Sequence, residues 1–223
     1  MLGAGKTGSL VAAVARERGH EVETLRLAEN QSGSGLTDGR LDLFDCVIDF
    51  TTPHCVLENI QACVGAGRNM VVGTTGWYAD LKAVRAAVEK RGTGFLYGSN
   101  FSIGVNLFFE LVRTAVPALH HGYLPHIYER HHAQKKDAPS GTAATMQKLL
   151  QEDGGSIVEI TSFREGEVVG MHELTLDSPL DEIYLCHDAK SRRGFAEGAV
   201  KGAEWLDGRK GFFEFKDVWK EMK

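Results

Sequence analysis

The sequence GAGKTGSLVAAVARERG, residues 3–19, decides how the first part of the chain folds. Gly3, Gly5 and Gly8 form a GxGxxG pattern, which permits a tight turn and lets a pyrophosphate approach the N–H groups at the start of a helix. The apolar residues that follow recur with helical spacing. The stretch therefore predicts a glycine turn that leads into a helix and binds a dinucleotide, with a purely structural turn as the alternative.

The residues on either side of this stretch bear on the same prediction. Glu29 lies about twenty residues beyond Gly8, where a carboxylate can hold the hydroxyl groups of a ribose. Only Met1 and Leu2 precede Gly3, which is too few for a usual first strand. Either this strand is abbreviated or the chain lacks a few residues before it.

Strand-like and helix-like segments alternate up to about residue 100. The predicted strands are HEVETLRL (20–27), DCVIDFTT (45–52), NMVVGTTGW (69–77) and GFLYGSN (94–100), and the later helices are VLENIQACVGAG (56–67) and ADLKAVRAAVEKRG (79–92). This alternation is typical of a mostly parallel sheet with helices on both faces.

The pattern changes beyond residue 100. A long apolar helix, SIGVNLFFELVRTAVPAL (102–119), breaks near Pro117, and a second helix is expected over 142–152. Strands are predicted over 126–132, 156–165, 167–176 and 181–189, and a tail helix carries Ala199, Ala203 and Leu206. The predicted fold is α/β, with a Rossmann-like, mostly parallel sheet in 1–101 and 195–223 and a smaller α+β domain with an open mixed sheet in 102–194.

Composition narrows the function classes. The 223 residues carry a net charge of −5 and no long basic run, which argues against a nucleic-acid or membrane partner and favours a small-molecule role. The cysteines show no CxxC spacing and are expected to be free, buried, structural thiols; they are Cys46, Cys55, Cys63 and Cys186. The sequence has no apolar run long enough to span a membrane, so we expect a cytoplasmic protein.

Small polar residues follow three of the predicted parallel strands, in DFTTP (49–53), GTTGW (73–77) and GSNFS (98–102). Open α/β sheets bind ligands at this edge. Any one of these stretches is equally explained as ordinary turn chemistry, but the three together favour a cofactor cleft.

The stretch ERHHAQKKDAPSGTA (129–143) is dense in proton-active and anion-binding groups. Adjacent residues on a strand face opposite ways, so His131 and His132 are expected to have different roles. A substrate carboxylate fits Lys135 or Lys136, and His131 with a lysine can donate protons. The alternative is a solvated charged loop, and a metal site is not expected because the histidine pair lacks a third ligand at defined spacing.

The same stretch ends in a predicted helix start. Asp137 or Ser140 can cap this helix, which leaves the N–H groups of Gly141 and Thr142 free to face an anion. A later stretch, SRRGFAEGA (191–199), adds arginines that can grip carboxylates, although an exposed arginine pair is usually only surface.

With these segments in this order, the chain resembles the 4-hydroxy-tetrahydrodipicolinate reductases, also called dihydrodipicolinate reductases, of the bacterial and plant lysine pathway. The resemblance covers nearly the whole chain and runs through GAGKTG, DFTTP, GTTGW, NFSIGVN, ERHHAQKKDAPSGTA and SRRGFAEGA. The fifth stretch is close to diagnostic, because the family pattern is Glu, any residue, His-His, two variable residues, Lys, a variable residue and Asp-Ala-Pro-Ser-Gly-Thr-Ala.

The resemblance implies NADH- or NADPH-dependent reduction of 4-hydroxy-tetrahydrodipicolinate to tetrahydrodipicolinate, in the diaminopimelate route to lysine. The nicotinamide delivers hydride to ring carbon 4 of a cyclic unsaturated imine, and the resulting enamine takes a proton at carbon 3. The implied partners are a small dicarboxylate heterocycle as substrate and identical chains in a homotetramer.

The resemblance also assigns roles to individual residues. His131 would be the active-site histidine and Lys135 the proton donor. The two carboxylates of the substrate would be held by His132, Lys135, Gly141, Thr142 and Arg192. The dinucleotide would be bound by Gly3, Gly5, Lys6, Thr7, Gly8, Phe50, Thr51, Gly73, Thr75, Ser99, Asn100 and Phe101, in addition to Glu29.

The chain departs from the family pattern in one place and leaves one choice open. Between QKLLQEDGG and REGEVVG it is shorter than the better-known members and lacks a glycine-rich segment. The family varies between NADH and NADPH; Glu29 favours NADH, whereas nearby Arg26 could accept a 2′-phosphate. The preference between the two dinucleotides therefore stays open.

Two interpretations from other classes remain. An amino-acid or sugar dehydrogenase with the same two-domain plan, such as an aspartate dehydrogenase, would not require the histidine and lysine loop. A redox-sensing regulator that binds the dinucleotide without catalysis would leave that loop without a purpose.

Overall fold

The computed structural model describes residues 1–152 and 158–222. The chain divides into two compact units. The first unit is Met1–Ile103 with Arg193–Lys223, and the second is Gly104–Arg192.

Helices and strands alternate along much of the chain. The helices are α1 (Lys6–Glu17), α2 (Asp38–Leu41), α3 (Val56–Gly65), α4 (Leu81–Arg91), α5 (Ile103–Ala115), α6 (Gly141–Gln151), α7 (Arg193–Leu206) and α8 (Phe215–Val218). The strands are β1 (Cys46–Asp49), β2 (Asn69–Val72), β3 (Gly94–Tyr97), β4 (Leu124–His131), β5 (Glu159–Arg164), β6 (Met171–Asp177), β7 (Glu182–Asp188) and β8 (Gly211–Glu214). Short 3-10 turns span Leu27–Glu29, Gln31–Gly33, Tyr78–Asp80, Val116–His121 and Trp219–Glu221.

A parallel sheet forms the centre of the first unit. Its strands lie in the order β1-β2-β3-β8, and each neighbouring pair is parallel. Phe95 and Leu96 of β3 are both fully buried, and they belong to separate apolar clusters on opposite faces of the sheet. A strand covered on both faces needs a continuous apolar sequence, which explains why these strands could be predicted. The predicted Rossmann-like sheet is confirmed.

The prediction of a strand over residues 20–27 is wrong. Only Leu25 forms a bridge there, with Leu2, and Leu2 also bridges to Asp49 at the end of β1. Gly3 has φ of +90° and turns the chain immediately after Leu2, so the pairing of Leu2 with Leu25 does not extend into a ladder beyond Gly3.

The tail of the chain belongs to the first compact unit. A Cβ at Gly198 of α7 would lie 1.8 Å from the carbonyl oxygen of Phe101, so this glycine allows close packing of the helix. Arg18 also donates two hydrogen bonds to the carboxylate of Glu204, at 2.8 and 2.6 Å. β8 then adds a parallel edge strand beside β3.

The second unit contains a mixed sheet with strand order β5-β4-β6-β7. β4 pairs parallel with β5, whereas the β4–β6 and β6–β7 pairs are antiparallel. One face packs against α5 and α6 through buried Ile127, Leu174 and Met146. The predicted mixed sheet is confirmed, as is the break near Pro117, where α5 passes into a 3-10 turn. Of the strand predicted over 156–165, residues 156 and 157 lie outside the described part of the chain.

The structure also bears on the predictions about the cysteines and about membrane-spanning helices. The cysteines are free, but only Cys63 is fully buried, and Cys186 is exposed because it faces away from the side of the sheet that carries buried Leu174. In the part of the chain that the structure describes, no helix combines the length and apolar character needed to cross a membrane.

Candidate active site

The glycine loop before α1 is crowded on one side and open on the other. Gly3 has φ of +90°, and a Cβ there would lie 2.4 Å from the carbonyl oxygen of Phe50. A Cβ at Gly8 would lie 2.3 Å from the carbonyl oxygen of Gly3, so Gly8 allows the helix to pack on the loop. A Cβ at Gly5 would meet nothing within 4 Å. Gly5 is also the N-cap of α1 and provides no side-chain cap, so the first N–H groups of the helix face this open side.

A cavity of about 200 Å³ opens beside this loop. Its lining consists of Gly3, Ala4, Gly5, Leu25, Arg26, Leu27, Asn30, Phe50, Thr51, Thr52, Cys55 and Asn59. Gly3, Gly5, Phe50 and Thr51 are therefore the sequence-predicted dinucleotide residues that line it. Lys6, Thr7 and Gly8 lie instead in the first turn of α1.

Of the two charged residues near the predicted ribose site, Arg26 lines the cavity and Glu29 hydrogen-bonds to the backbone of Arg26. Oε2 of Glu29 accepts a hydrogen bond from the backbone N–H of Arg26 at 2.8 Å, and Glu29 is not part of the cavity lining. Arg26 is exposed and does line the cavity. The assignment of Glu29 to the ribose stays a prediction, with Arg26 as the charged side chain at the cavity.

A buried carboxylate to which the sequence motifs assigned no role organises the ends of β1 and β2. Asp49 is 0% exposed, and its Oδ1 accepts hydrogen bonds from the hydroxyl groups of Thr51 at 2.8 Å and Thr74 at 2.6 Å. Its Oδ2 accepts one from the Nδ2 of Asn59 at 2.8 Å, and Asn59 in turn accepts one from Asn30 at 2.8 Å. This chain of polar groups ties one side of the cavity to the strand ends.

The other predicted dinucleotide residues follow β2 and β3. A Cβ at Gly73 would lie 2.3 Å from the ring of Phe50, and Thr75 and Ser99 are exposed. Asn100 is half-buried and accepts a hydrogen bond from the N–H of Ser102 at 2.9 Å. Phe101 is 2% exposed and packs on Phe215 with ring centroids 4.7 Å apart, so its side chain belongs to the core.

The loop 132–140 leads into α6 through a capped helix start. Ser140 is the N-cap, and its Oγ accepts a hydrogen bond from the N–H of Ala143 at 3.2 Å. The N–H groups of Gly141 and Thr142 precede the capped position, and a Cβ at Gly141 would meet nothing within 4 Å. Of the two caps that the sequence allowed, Ser140 is the one used, and the helix start is open to an anion.

Glu129 on β4 is a fully buried carboxylate with several donors on one oxygen. Its Oε1 accepts hydrogen bonds from the N–H of Ser140 at 3.0 Å, the hydroxyl of Ser162 at 2.6 Å and the guanidinium of Arg164 at 2.8 Å. Burial acts to raise the pKa of Glu129, but the hydrogen bonds from Ser140, Ser162 and Arg164 outweigh it and lower the pKa to about 2. Glu129 is therefore ionised at neutral pH.

His131 and His172 lie beside the second oxygen of Glu129. Nδ1 of His131 is 3.2 Å from Oε2, and Nε2 of His172 is 3.8 Å from the same atom. Nε2 of His172 also forms a hydrogen bond with Oγ of Ser140 at 3.0 Å. Burial lowers the pKa of His131, and the positive charges of Lys135 and Arg164 lower it further. The negative charge of Glu129 acts in the opposite direction. Burial and the proximity of His131 lower the pKa of His172 to about 3.

Lys135 is held by a carboxylate within the same loop. Its Nζ donates to both carboxylate oxygens of Asp137, at 2.7 and 2.8 Å, and the hydrogen bond lowers the pKa of Asp137. The Lys135 side chain is 21% exposed and that of Asp137 is 60% exposed. Lys136, one residue further, is exposed.

The remaining predicted substrate residues are less closely joined to this cluster. His132 and Thr142 are half-buried and flank the cluster at either end of the loop. Arg192 is half-buried just before α7, and no contact described within residues 1–152 and 158–222 connects it to the loop. Lys135 lies near enough to His131 to affect its pKa, and Gly141 and Thr142 follow Ser140, which donates its N–H to Glu129. The substrate roles of all these residues, like that of Arg192, stay predictions.

Comparison with known proteins decides the family. A family model described as "Dihydrodipicolinate reductase, N-terminus" matches residues 2–101, and one described as "Dihydrodipicolinate reductase, C-terminus" matches residues 104–219. The chain belongs to the dihydrodipicolinate reductase family. The resemblance inferred from the sequence motifs is confirmed.

Two relatives in this family are similar to the chain over nearly their whole length. The 4-hydroxy-tetrahydrodipicolinate reductase of Christiangramia forsetii is 35% identical over 236 residues, which cover 100% of this chain and 97% of the relative. That of Natronomonas pharaonis is 38% identical over 239 residues and covers 96% of both chains. Family membership therefore rests on both halves of the protein.

Solved structures show how widely the fold is shared. A dipicolinate-bound dihydrodipicolinate reductase from Paenisporosarcina sp. TG-14 superposes with a TM-score of 0.80 at 22% identity, covering 97% of both chains. An amine dehydrogenase from Mycobacterium smegmatis superposes with a TM-score of 0.64 at 10% identity, covering 97% of this chain and 94% of its own. Because both enzymes share the fold, the loop of residues 129–143 and the family models, not the architecture, favour the reductase over an amino-acid dehydrogenase.

The reductase site contains residues that had little signal in the sequence. Ser162, Arg164 and His172 come from β5 and β6 and reach Glu129 through strand pairing, which opposes Glu129 to Ser162 and to His172. Only Glu129 had a signal in the sequence, because residues two apart on a strand share a face and His131 is two residues on. The register of three strands could not be derived from the motif.

Glu129, His131 and His172 also form a potential set of metal ligands. One ligand atom from each lies within 4.8 Å of the others, and the third ligand that the sequence lacked comes from β6. One carboxylate oxygen of Glu129 is already occupied by three donors. A cation would therefore have to bind at Oε2, the oxygen that lies 3.2 Å from Nδ1 of His131.

Proposed function

We propose that the chain performs the reaction of its family, the NADH- or NADPH-dependent reduction of 4-hydroxy-tetrahydrodipicolinate to tetrahydrodipicolinate. The observation that carries the proposal is the loop of residues 129–143. It combines an open helix start, a lysine ammonium group and a histidine backed by an ionised, buried carboxylate. A dianionic heterocycle that must gain a proton needs these groups together.

The first unit is the proposed dinucleotide-binding domain. The space at Gly5, where a Cβ would meet nothing within 4 Å, and the unsatisfied N–H groups of α1 fit a pyrophosphate. Thr51 and Phe50 would line the adjoining cavity, and Arg26 would stand near the ribose. Bound NADH or NADPH supplies the hydride, and the predicted residues Gly73, Thr75, Ser99 and Asn100 belong to the same proposal.

The second unit is the proposed substrate domain. The N–H groups of Gly141 and Thr142 bind one carboxylate of the substrate at the positive end of α6. The ammonium group of Lys135 binds a carboxylate in place of Asp137, which supplies the same chemical group in the structure. His132 and Arg192 complete the proposed set of cationic partners.

The reduction consumes one proton for each hydride, and we assign that proton to Lys135, with His131 as its partner. Lys135 is proposed to donate its proton to the substrate carbon as negative charge develops there, and His131 to stabilise that charge. A general acid placed in this way accelerates a reaction by roughly 10²–10⁴-fold. The His131 side chain is only 10% exposed, which strengthens its interactions because the local dielectric constant is low.

The proposal is tested by a coupled assay in which a second enzyme forms the unsaturated heterocycle. We expect oxidation of NADH or NADPH that depends on the heterocycle, and omission of that enzyme is the control. A protein that binds the dinucleotide without oxidising it in this assay would instead be a regulator. Oxidation that requires an oxo acid and ammonia would identify an amino-acid dehydrogenase.

We further propose that the chain forms the homotetramer implied by the family resemblance. The sheet face opposite Ile127 and Leu174 carries aromatic side chains that are partly exposed, among them Phe163 at 45% and Tyr184 at 60%. Light scattering should give the mass of four chains, and Tyr184→Glu should lower it. A fully active monomer would contradict this part of the proposal.

A further inference from the structure

The two oxygens of Glu129 are in different situations. Oε1 accepts three hydrogen bonds, from Ser140, Ser162 and Arg164, which fix the plane of the carboxylate. Oε2 is enclosed and has no hydrogen bond within the described parts of the chain. An ionised oxygen without a donor is costly in a buried place, so a donor is expected beside it.

The nearest candidate donor is His131. Its Nδ1 lies 3.2 Å from Oε2, and Nδ1 is itself enclosed and without a hydrogen bond of ordinary geometry in residues 1–152 and 158–222. The other ring nitrogen, Nε2, is not enclosed in this way and borders Gly170, where a Cβ would come within 3.0 Å of it. If Nδ1 carries the proton, a small rotation of the His131 ring lets it donate a hydrogen bond to Oε2 of Glu129. That one bond would satisfy both enclosed atoms.

The structure assigns Glu129 as a positioning residue for the reductase reaction. It holds the His131 ring with Nδ1 protonated and turned inward, so that Nε2 is the nitrogen presented to the substrate. The carboxylate acts through His131 and does not touch the substrate. This inference rests on the proposed function only for the statement that His131 works on the substrate.

Strand pairing explains why the carboxylate cannot turn away. Glu129 lies opposite Ser162 on β5 and opposite His172 on β6, so both neighbouring strands present a polar side chain to it. His172 closes the remaining side, with its ring 5.0 Å from that of His131. Because burial keeps His172 neutral, it does not compete with His131 as a cation for Oε2.

The decisive variant is Glu129→Gln, which keeps the size of the side chain and removes its charge. An amide can donate to Nδ1 and stabilise the opposite tautomer, so kcat/KM should fall at least about tenfold. Since the carboxylate raises the pKa of His131, the limb of the pH profile that reports His131 should move to lower pH in the variant. Loss of packing alone would not move that limb.

Two further variants separate positioning from folding. Ser162→Ala removes one donor from Oε1 and leaves Oε2 facing His131, so its pH profile should match the unmodified protein even if it melts at a lower temperature. Glu129→Asp keeps the charge and should retain the limb near its original pH with a lower kcat. A Glu129→Gln protein whose pH profile is unchanged would overturn the inference.

A spectroscopic measurement decides the inference independently of activity. The ring nitrogen chemical shifts of His131, in protein labelled with nitrogen-15 histidine, should report protonation at Nδ1 in the unmodified protein and at Nε2 in Glu129→Gln. The same tautomer in both proteins would refute the inference even where the assay supports the proposed function. Failure of the assay with a changed tautomer would refute the proposed function alone.

A chelation experiment tests whether Glu129, His131 and His172 bind a metal ion instead. Treatment of the purified enzyme with a strong chelator should leave activity and the His131 signals unchanged. Loss of activity on chelation, followed by recovery with zinc, would show that Glu129, His131 and His172 are metal ligands and would overturn the positioning role.

Discussion

The starts of α1 and α6 offer the same backbone feature in different surroundings. At Gly5 and at Gly141 an added Cβ would meet nothing within 4 Å, so both helix starts are open to a ligand. Behind Gly5 lie other glycines and strand ends, packed by backbone contacts. Behind Gly141 lie the ionised carboxylate of Glu129 and a buried histidine, His131.

This difference indicates two ways to build an anion site. The site at the start of α1 depends on the absence of side chains, so a larger side chain should abolish binding by steric conflict. The site at the start of α6 depends on where protons and charges lie, so a change in charge or pH should abolish its activity. Variants of the two helix starts should therefore differ in the kind of damage as well as in its size.

The largest effect is expected from Gly8→Val in the first unit. The new Cβ would lie 2.3 Å from the carbonyl oxygen of Gly3, which is backbone and cannot move aside cheaply. We expect the free energy of unfolding to fall by more than about 3 kcal/mol, or folding to fail, as seen by thermal denaturation. A stable Gly8→Val protein would show that α1 is not tightly packed on the loop.

Lys135→Ala should have the next largest effect, and it should act on turnover and substrate binding, not on folding. Loss of a substrate-binding ammonium group that is also a general acid should lower kcat roughly 10²–10⁴-fold and raise KM. The matched control is Lys136→Ala, since Lys136 is exposed and should be nearly silent. Steady-state kinetics in which Lys136→Ala is crippled and Lys135→Ala is not would place the motif one residue out of register.

Gly5→Val should have a smaller effect, confined to the dinucleotide. Gly5 has φ of −71°, which other residues adopt, and its missing Cβ has open space, so stability should change by about 1 kcal/mol or less. The side chain would occupy the pyrophosphate position and weaken binding by roughly 10–100-fold, measured by calorimetry with NADH and NADPH. Unchanged affinity would remove Gly5 from the cofactor site.

The smallest effect expected is a difference in pH sensitivity between the units. The pKa of His172 is lowered from 6.5 to about 3, chiefly by burial, so the unfolded chain binds the extra proton and the second unit loses stability as pH falls below about 6.5. Burial raises the pKa of Cys63 from 9.0 to about 12, so the first unit loses stability as pH rises above about 9. Each loss should be on the order of 1–3 kcal/mol.

The tryptophans make this difference measurable. Trp77, Trp205 and Trp219 all belong to the first unit, and the second unit contains none. Tryptophan fluorescence therefore follows the first unit, whereas circular dichroism follows both. As the pH is lowered, the circular dichroism should change at a higher pH than the fluorescence. As the pH is raised, the fluorescence should change at the same pH as the circular dichroism or at a lower one. Coincident transitions at both extremes would contradict the contrast.

The fold was predictable where a segment carries a clear local signal in its own sequence. The β3 sequence GFLY is apolar throughout because both of its faces are buried, and α4 ends at Gly92 with φ of +66°, as its glycine indicated. The strand expected near Leu25 did not form, because the chain turns at Gly3 directly after Leu2, the residue that pairs with Leu25. Local propensity alone does not reveal where such a pairing ends.

The candidate site was predictable within one loop and not beyond it. The spacing of His131, Lys135 and Ser140 is visible in a single stretch, and so is the capped helix start. The approach of His172 to Glu129 depends on the register of β4 and β6, which no motif specifies. Asp137 was proposed as a cap, but its carboxylate binds Lys135 in the structure, a choice that only the loop conformation decides.

Ser140 has a consequence for attempts to move this site into another protein. It caps α6, donates its N–H to Glu129 and contacts His172, so it connects three segments that are distant in sequence. A graft of residues 129–143 alone would carry the motif into a new scaffold without the strands that hold it in place. The smallest transferable module is the sheet segment of β4, β5 and β6 together with the first turn of α6.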